Sequence, residues 1–145
     1  MTTLTPYLCI ADAARAIEFY QKAFGAKESM RLTEPGGGKV GHAHLTIGDA
    51  GFMLADEYPD FGVRSPRAYG GSPVRMSLQV PDVDAVVERA VAAGAKLVRP
   101  VEDQFYGERS GTLEDPFGHV WIVSTHKEDV PTDEMQRRWN AMLGR

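Results

Sequence analysis

Apolar and polar positions change period several times along this chain, and each change marks an element. Thr5 to Ile10 reads as a strand, and "DAARAIEFYQKAFGA" follows with Ala16, Ile17, Tyr20, Ala23 and Phe24 at helical spacing. Asp12 stands where an N-cap takes amide hydrogens, and Gly25 where a left-handed residue ends a helix. Strands are then predicted over Lys27–Thr33, Val40–Ile47 and Phe52–Ala55, separated by the turns "EPGGGK" and "GDAG". Residues 57–73, "EYPDFGVRSPRAYGGSP", carry Gly, Pro and Tyr without any period and read as a linker or lid loop. After them the order repeats. A strand over Val74–Val80 precedes a helix in "DVDAVVERAVAAGA", capped by Asp82 and stopped at Gly94, and strands follow at Lys96–Pro100, Ser110–Glu114 and His119–Thr125. Thr132 or Asp133 can cap a last helix through "EMQRRWNAML", with Met135, Trp139 and Met142 on one stripe. So short a helix is marginal alone, so its stripe is expected to dock on its own domain or on a second subunit.

The repeat is visible by letter. "LCIADAARAIEFYQKAFGAK" from Leu8 lies over "LQVPDVDAVVERAVAAGAK" from Leu78 with one residue deleted, and "GDAGFML" lies over "EDPFGHVW". The fold class expected is α+β: two paired βαβββ modules forming a half-barrel cleft, plus a C-terminal helix. Residues 1–145 make one domain, with a first module at 4–57, a linker or lid at 58–73, a second module at 74–126 and a helical tail at 127–145. Each module is a sheet with a helix on one face, and the uncovered faces curl round one cleft. Strand alternation then sorts the side chains. Leu8, Ile10, Leu45, Ile47, Met76 and Leu78 face the helices, whereas Thr5, Tyr7, Cys9, His42, His44, Arg75 and Ser77 face the cleft.

Composition narrows the partners. The 145 residues are 43% hydrophobic, enough for one core shared by two half-size modules. A net charge of −4 with both signs interspersed gives no basic stripe for nucleic acid and no polybasic patch for a membrane. The lone Cys9 excludes an intrachain disulfide. The opening "MTTLTPYLCIAD" has no signal-peptide pattern, so a cytoplasmic location is expected.

The paired modules, the helix ending "FYQKAFGAK" and the hairpin "LEDPFGHVWIV" resemble the vicinal oxygen chelate superfamily of glyoxalase I, bleomycin-binding and fosfomycin resistance proteins and extradiol dioxygenases. "TPYLCIADAARAIEFYQKAFGA", "GHAHLTIGDAGFMLADE" and "DQFYGERSGTLEDPFGHVWIVSTH" are similar to its PhnB-like, glyoxalase-related branch. The resemblance implies a metal held by one residue on the first and fourth strands of each module. Those positions fall on Thr5, Met53, Arg75 and Ile122, and Met, Ile and a cationic Arg cannot supply the donors a divalent ion needs. No cofactor is therefore expected. A divalent ion on His42 and His44, with Asp56 or Glu57 as a third ligand, is the disfavoured alternative.

The remaining candidates line the expected cleft. His42 and His44, two apart on a strand, project to one face about 6 to 7 Å apart and suit hydrogen bonding or acid and base work. A guanidinium at Arg75 either pairs within the protein or meets an anionic ligand. Phe105, Tyr106 and Arg109 fall on a Gly-punctuated loop at the cleft mouth, where rings beside a cation suit a flat or carboxylated molecule. In "DPFG", Asp115, Pro116 and Gly118 read as turn chemistry and Phe117 and Trp121 as packing. The function expected is metal-free binding of a small anionic or aromatic molecule by Tyr7, His42, His44, Met53, Arg75, Ser77, Phe105, Tyr106, Arg109 and Ile122. The alternative is a glyoxalase- or isomerase-type enzyme with His42 or His44 as proton carrier or atypical metal ligand. From the resemblance, a homodimer is expected, with clefts shared between subunits.

Overall fold

The computed structural model describes residues 1–145, and its elements follow the predicted order. The first module is β1 (Tyr7–Ile10), α1 (Ala13–Phe24), β2 (Lys27–Thr33), β3 (Val40–Ile47) and β4 (Ala50–Asp56). The second is β5 (Arg75–Gln79), α2 (Val83–Ala92), β6 (Lys96–Asp103), β7 (Glu108–Glu114) and β8 (Val120–His126), and α3 (Thr132–Met142) follows it. The strands form two four-stranded mixed sheets, β1-β4-β3-β2 and β5-β8-β7-β6, each with one parallel pair, between the module's first and last strands. This is the α+β architecture of paired βαβββ modules that the repeat predicts.

Local chemistry sets the ends. Asp12 accepts from the Arg15 amide and Asp82 from the Ala85 amide, while Gly25 ends α1 at a φ of 68° that a side chain would resist. The hydrophobic pattern starts β1 at Thr5, but the ladder starts at Tyr7 because Pro6 has no amide to donate; its carbonyl still accepts from Met53 N at 2.9 Å. Similarly, Pro100 does not stop β6. The strand is an edge strand and absorbs the proline at register irregularities between Leu97 and Glu102.

One core serves both modules. On α1 the buried positions are Ala13, Ala16, Ile17, Phe19, Tyr20, Ala23 and Phe24, a stripe too wide for a single sheet. Its aromatic flank crosses to the second module, where Phe24 and Tyr20 meet Trp121 at ring separations of 4.9 and 5.4 Å and Phe19 meets Phe117 at 6.4 Å. Asp115, on the turn between β7 and β8, lies under this cluster and is 3% exposed. Its carboxylate accepts from the amides of Phe117 and His119, from Trp121 Nε1 at 3.0 Å and from the Tyr20 hydroxyl at 2.5 Å. Burial and the neighbouring carboxylate hold the Tyr20 phenol well above its usual pKa. A second cross-module bond joins His119 Nε2 to the Cys9 carbonyl oxygen at 3.0 Å.

The segment 57–73 contains two 3₁₀ turns, Pro59–Phe61 and Pro66–Tyr69. It is tied at both ends. Ser65 N donates to Glu57, an interaction that lowers the Glu57 pKa, and Arg67 donates to the Pro116 carbonyl at 2.6 Å. Helix α3 is held through Arg138, which donates to the Phe105 carbonyl and to Glu128. Its apolar stripe stays partly in solvent, with Trp139 48% and Met142 67% exposed. No helix is long and apolar enough to cross a membrane.

Candidate functional site

With Leu8, Ile10, Leu45 and Leu54 buried toward the helix, alternation turns Tyr7, Cys9, His42, His44 and Met53 to the uncovered face of the first sheet. A recess of about 540 Å³ lies on this face between Tyr7, Cys9, Gly41, Ala55, Tyr58 and Phe61. Its far wall comes from the segment 57–73, a strap across this end of the sheet that contributes Tyr58, Phe61 and Val63. Tyr58 is fixed there by a hydrogen bond to Glu34 at 2.9 Å and by Lys39, whose ammonium sits 4.9 Å from the ring centre and donates to the Glu57 carbonyl. At the opposite edge the Tyr7 hydroxyl and His42 Nδ1 are 2.6 Å apart, their rings edge to face at 5.3 Å. Burial beside Glu57 and Asp56 pushes the Cys9 thiol up to about 11, which keeps it protonated and a poor nucleophile.

His44 occupies the next position along the same face. Its Nδ1 meets Ser29 Oγ at 3.0 Å, and its Nε2 lies 3.1 Å from where a side-chain carbon would start at Gly51. Glycine at 51 gives the imidazole its room. On the second sheet the uncovered face is polar. Arg75, Tyr106 and Ile122 border a pocket of about 100 Å³ with Arg99, Gln104 and Thr112. Between the modules, Thr5, Gly51, Arg75 and Ser77 border a third recess of about 370 Å³. In place of one continuous cleft, the chain thus has separate recesses, because the modules join through α1, α2 and the aromatic cluster. Tyr7, His42, His44 and Met53 share one face, and Arg75, Ser77, Tyr106 and Ile122 another. Arg75 takes part in none of the chain's ion pairs.

Two candidates leave the expected group. Arg109 does not lie on a loop at the cleft mouth, because β7 begins at Glu108 and its parity turns Arg109, with Leu113, toward the helix. There it grips both oxygens of Asp84 on α2 at 2.9 and 3.1 Å and reaches Asp103 at 3.2 Å, raising its own pKa and lowering that of Asp84. Phe105 packs edge-on against Tyr106 at 5.1 Å while its carbonyl anchors Arg138, so it supports the neighbouring ring. Sequence reasoning missed Ser29, Gly51, Tyr58 and Phe61. Ser29 sits at a β-bulge between Glu28 and Met30 that no letter announces, and Tyr58 and Phe61 lie in the aperiodic strap.

The donor set does not fit the divalent ion that the resemblance implies. Thr5 lies outside the ladder, Met53, Arg75 and Ile122 offer no suitable atoms, and no three His, Cys, Asp or Glu side chains gather as a metal cage. The third ligands considered for His42 and His44 are engaged elsewhere. Asp56 accepts from the amides of Ala13 and Val40, and Glu57 from that of Ser65.

Comparison with known proteins bears on the fold and the family. An uncharacterized protein of Mycobacterium tuberculosis is 46% identical over 136 residues, covering 92% of this chain and 79% of that one. The crystal structure of TioX from Micromonospora sp. ML1 superposes with a TM-score of 0.67 at 27% identity, over 87% of this chain and 99% of the other. A PhnB protein from Bacillus cereus shares the fold at a TM-score of 0.66 and 19% identity, over 86% and 99% of the two chains. The model of the Glyoxalase/Bleomycin resistance protein/Dioxygenase superfamily matches residues 3–123, and the chain belongs to that superfamily.

Proposed function

We propose that the protein binds a small aromatic anion on the uncovered face of its first module, with no resident metal ion. The observation that carries this reading is the recess of about 540 Å³, within the range of ligand sites and walled by aromatic and aliphatic groups, with the hydroxyl of its lining residue Tyr7 held by His42 beside it. Arg75, uncommitted to any internal partner, supplies the cation. It lies on the other sheet's face, so the reading includes a homodimer in which the polar face of a second copy closes the recess. Met30 and Leu32, 39% and 59% exposed on the outer strand β2, give that contact its apolar rim. A Leu32→Glu variant is expected to sediment as a monomer where the wild type sediments as a dimer; a monomeric wild type removes the dimer from the reading.

The binding test is a thermal-shift panel of aromatic carboxylates and phosphonates. One member at 100 times its dissociation constant is expected to add about 2.7 kcal/mol of stability, a rise of roughly 5 to 10 °C for a chain of this size. Arg75→Ala should weaken its affinity by about tenfold or more, and a chelator should change nothing. Stabilisation by Ni, Zn, Mn, Fe or Co that His42→Ala abolishes would sink the metal-free reading, and so would a panel without a single stabilising member. A second reading, an isomerase-type reaction in which His42 or His44 carries a proton, draws on the hydroxyl groups that hold both rings.

A further inference from the structure

The two imidazoles of the first module meet a hydroxyl through the same ring atom, yet the protons are arranged oppositely. At His42 the Tyr7 oxygen lies 2.6 Å from Nδ1, a separation typical of an O–H donor. Burial raises the Tyr7 pKa and so keeps that proton in place. Nδ1 is then the acceptor, and in the neutral ring the proton sits on Nε2. Ser29 presents a different problem at His44. Its Oγ lies 3.1 Å from the His44 carbonyl oxygen and 3.0 Å from His44 Nδ1, and a hydroxyl has one proton for the two contacts. Both are satisfied only when Ser29 donates to the carbonyl and Nδ1–H donates to Ser29. His44 Nε2 is then a bare lone pair, lying over Gly51 on the open face.

We infer that Tyr7 and Ser29 are positioning residues that fix the two histidines in opposite tautomers, so that the face offers one imidazole donor and one imidazole acceptor. Two residues apart on one strand, they select a ligand that carries a hydrogen-bond acceptor and a hydroxyl or N–H donor at separated points, such as a hydroxylated aromatic carboxylate. The ligand class rests on the first module's face being the binding site; the tautomers do not. Neither ring needs a metal for this role, and the absence of a side chain at Gly51 acquires a purpose.

Long-range proton–nitrogen correlation NMR of the labelled protein at pH about 8, where imidazole is neutral, reads the tautomers directly. His42 is expected in the Nε2–H form and His44 in the Nδ1–H form, with Tyr7→Phe releasing the first ring to a mixture and Ser29→Ala the second. Titration with para-hydroxybenzoate and para-methoxybenzoate then tests the class of ligand. The hydroxyl compound should bind roughly tenfold tighter, the size of one hydrogen bond, and His44→Ala should erase the preference. Like tautomers on the two rings, indifference to Ser29→Ala, or equal affinity for the two benzoates overturns the inference. Failure of every aromatic anion to stabilise a protein whose tautomers are as expected strikes the binding reading instead.

Discussion

An Asp115→Ala variant is expected to lose about 4 kcal/mol or more of unfolding free energy, because four buried donors lose their acceptor together at about 1 to 3 kcal/mol each before relaxation. The donors are the amides of Phe117 and His119, the Trp121 indole and the Tyr20 hydroxyl, and the last comes from the other module. Asp115 takes part in no ion pair, so its four hydrogen bonds are what make a carboxyl group tolerable at 3% exposure. Asparagine should rescue little. Its amide would turn an NH₂ toward two donors, leaving at least one pair facing each other without an acceptor. Tyr20→Phe removes one of the four bonds and is expected to cost about 1 to 2 kcal/mol. Once Asp115 is gone, the same change should cost much less, and that non-additivity measures the link between modules. Urea unfolding of the three variants and the double variant checks it. A loss below about 1 kcal/mol for Asp115→Ala would show that the aromatic cluster holds the modules together unaided.

The same residue shows how far letters reach. "DPFG" reads as a turn, and Asp115 does bond the Phe117 amide as a turn aspartate should. What the motif does not disclose is a partner 95 residues away on α1. The clue lies in α1 itself, where Phe19 broadens an apolar stripe already complete for one sheet. Both module repeats, the caps of α1 and α2 and the order of elements were legible because each rests on local periodicity and turn chemistry, whereas α3 is preceded by Pro131 and has no side-chain cap where Thr132 or Asp133 was expected. The open faces were legible for the same reason, since parity alone sends Tyr7, His42 and His44 together, and the resemblance placed Met53 beside them. Parity failed where a boundary was misplaced by two residues, as at Arg109, and where a bulge breaks it, as at Ser29. The division of the expected cleft into separate recesses depends on how two modules pack, which no single strand encodes.

Gly107→Ala is expected to be the other severe variant, costing about 3 kcal/mol or more. Gly107 turns the chain between β6 and β7 at a φ of 94°, which any side chain resists, but strain is the smaller part. A methyl group there would fall inside the contact distance of the Glu128 carbonyl oxygen and 3.0 Å from a Val130 methyl. The Gly107 carbonyl also accepts from the amides of Lys127 and Glu128 at 2.8 and 3.1 Å, so the segment leading to α3 must stay close to the place the methyl would take. Gly62 supplies the control. Its φ of 75° is equally left-handed and nothing lies within 4 Å of the added carbon, so Gly62→Ala measures strain alone, at about 1 kcal/mol. The excess at Gly107 reports the close approach of the tail. Hydrogen exchange should localise it: amides of 127–143 should exchange faster in Gly107→Ala and stay unchanged in Gly62→Ala. Equal costs for the two variants would mean that the tail gives way freely. In that case Arg138, through Phe105 and Glu128, would be what holds α3 to the second module.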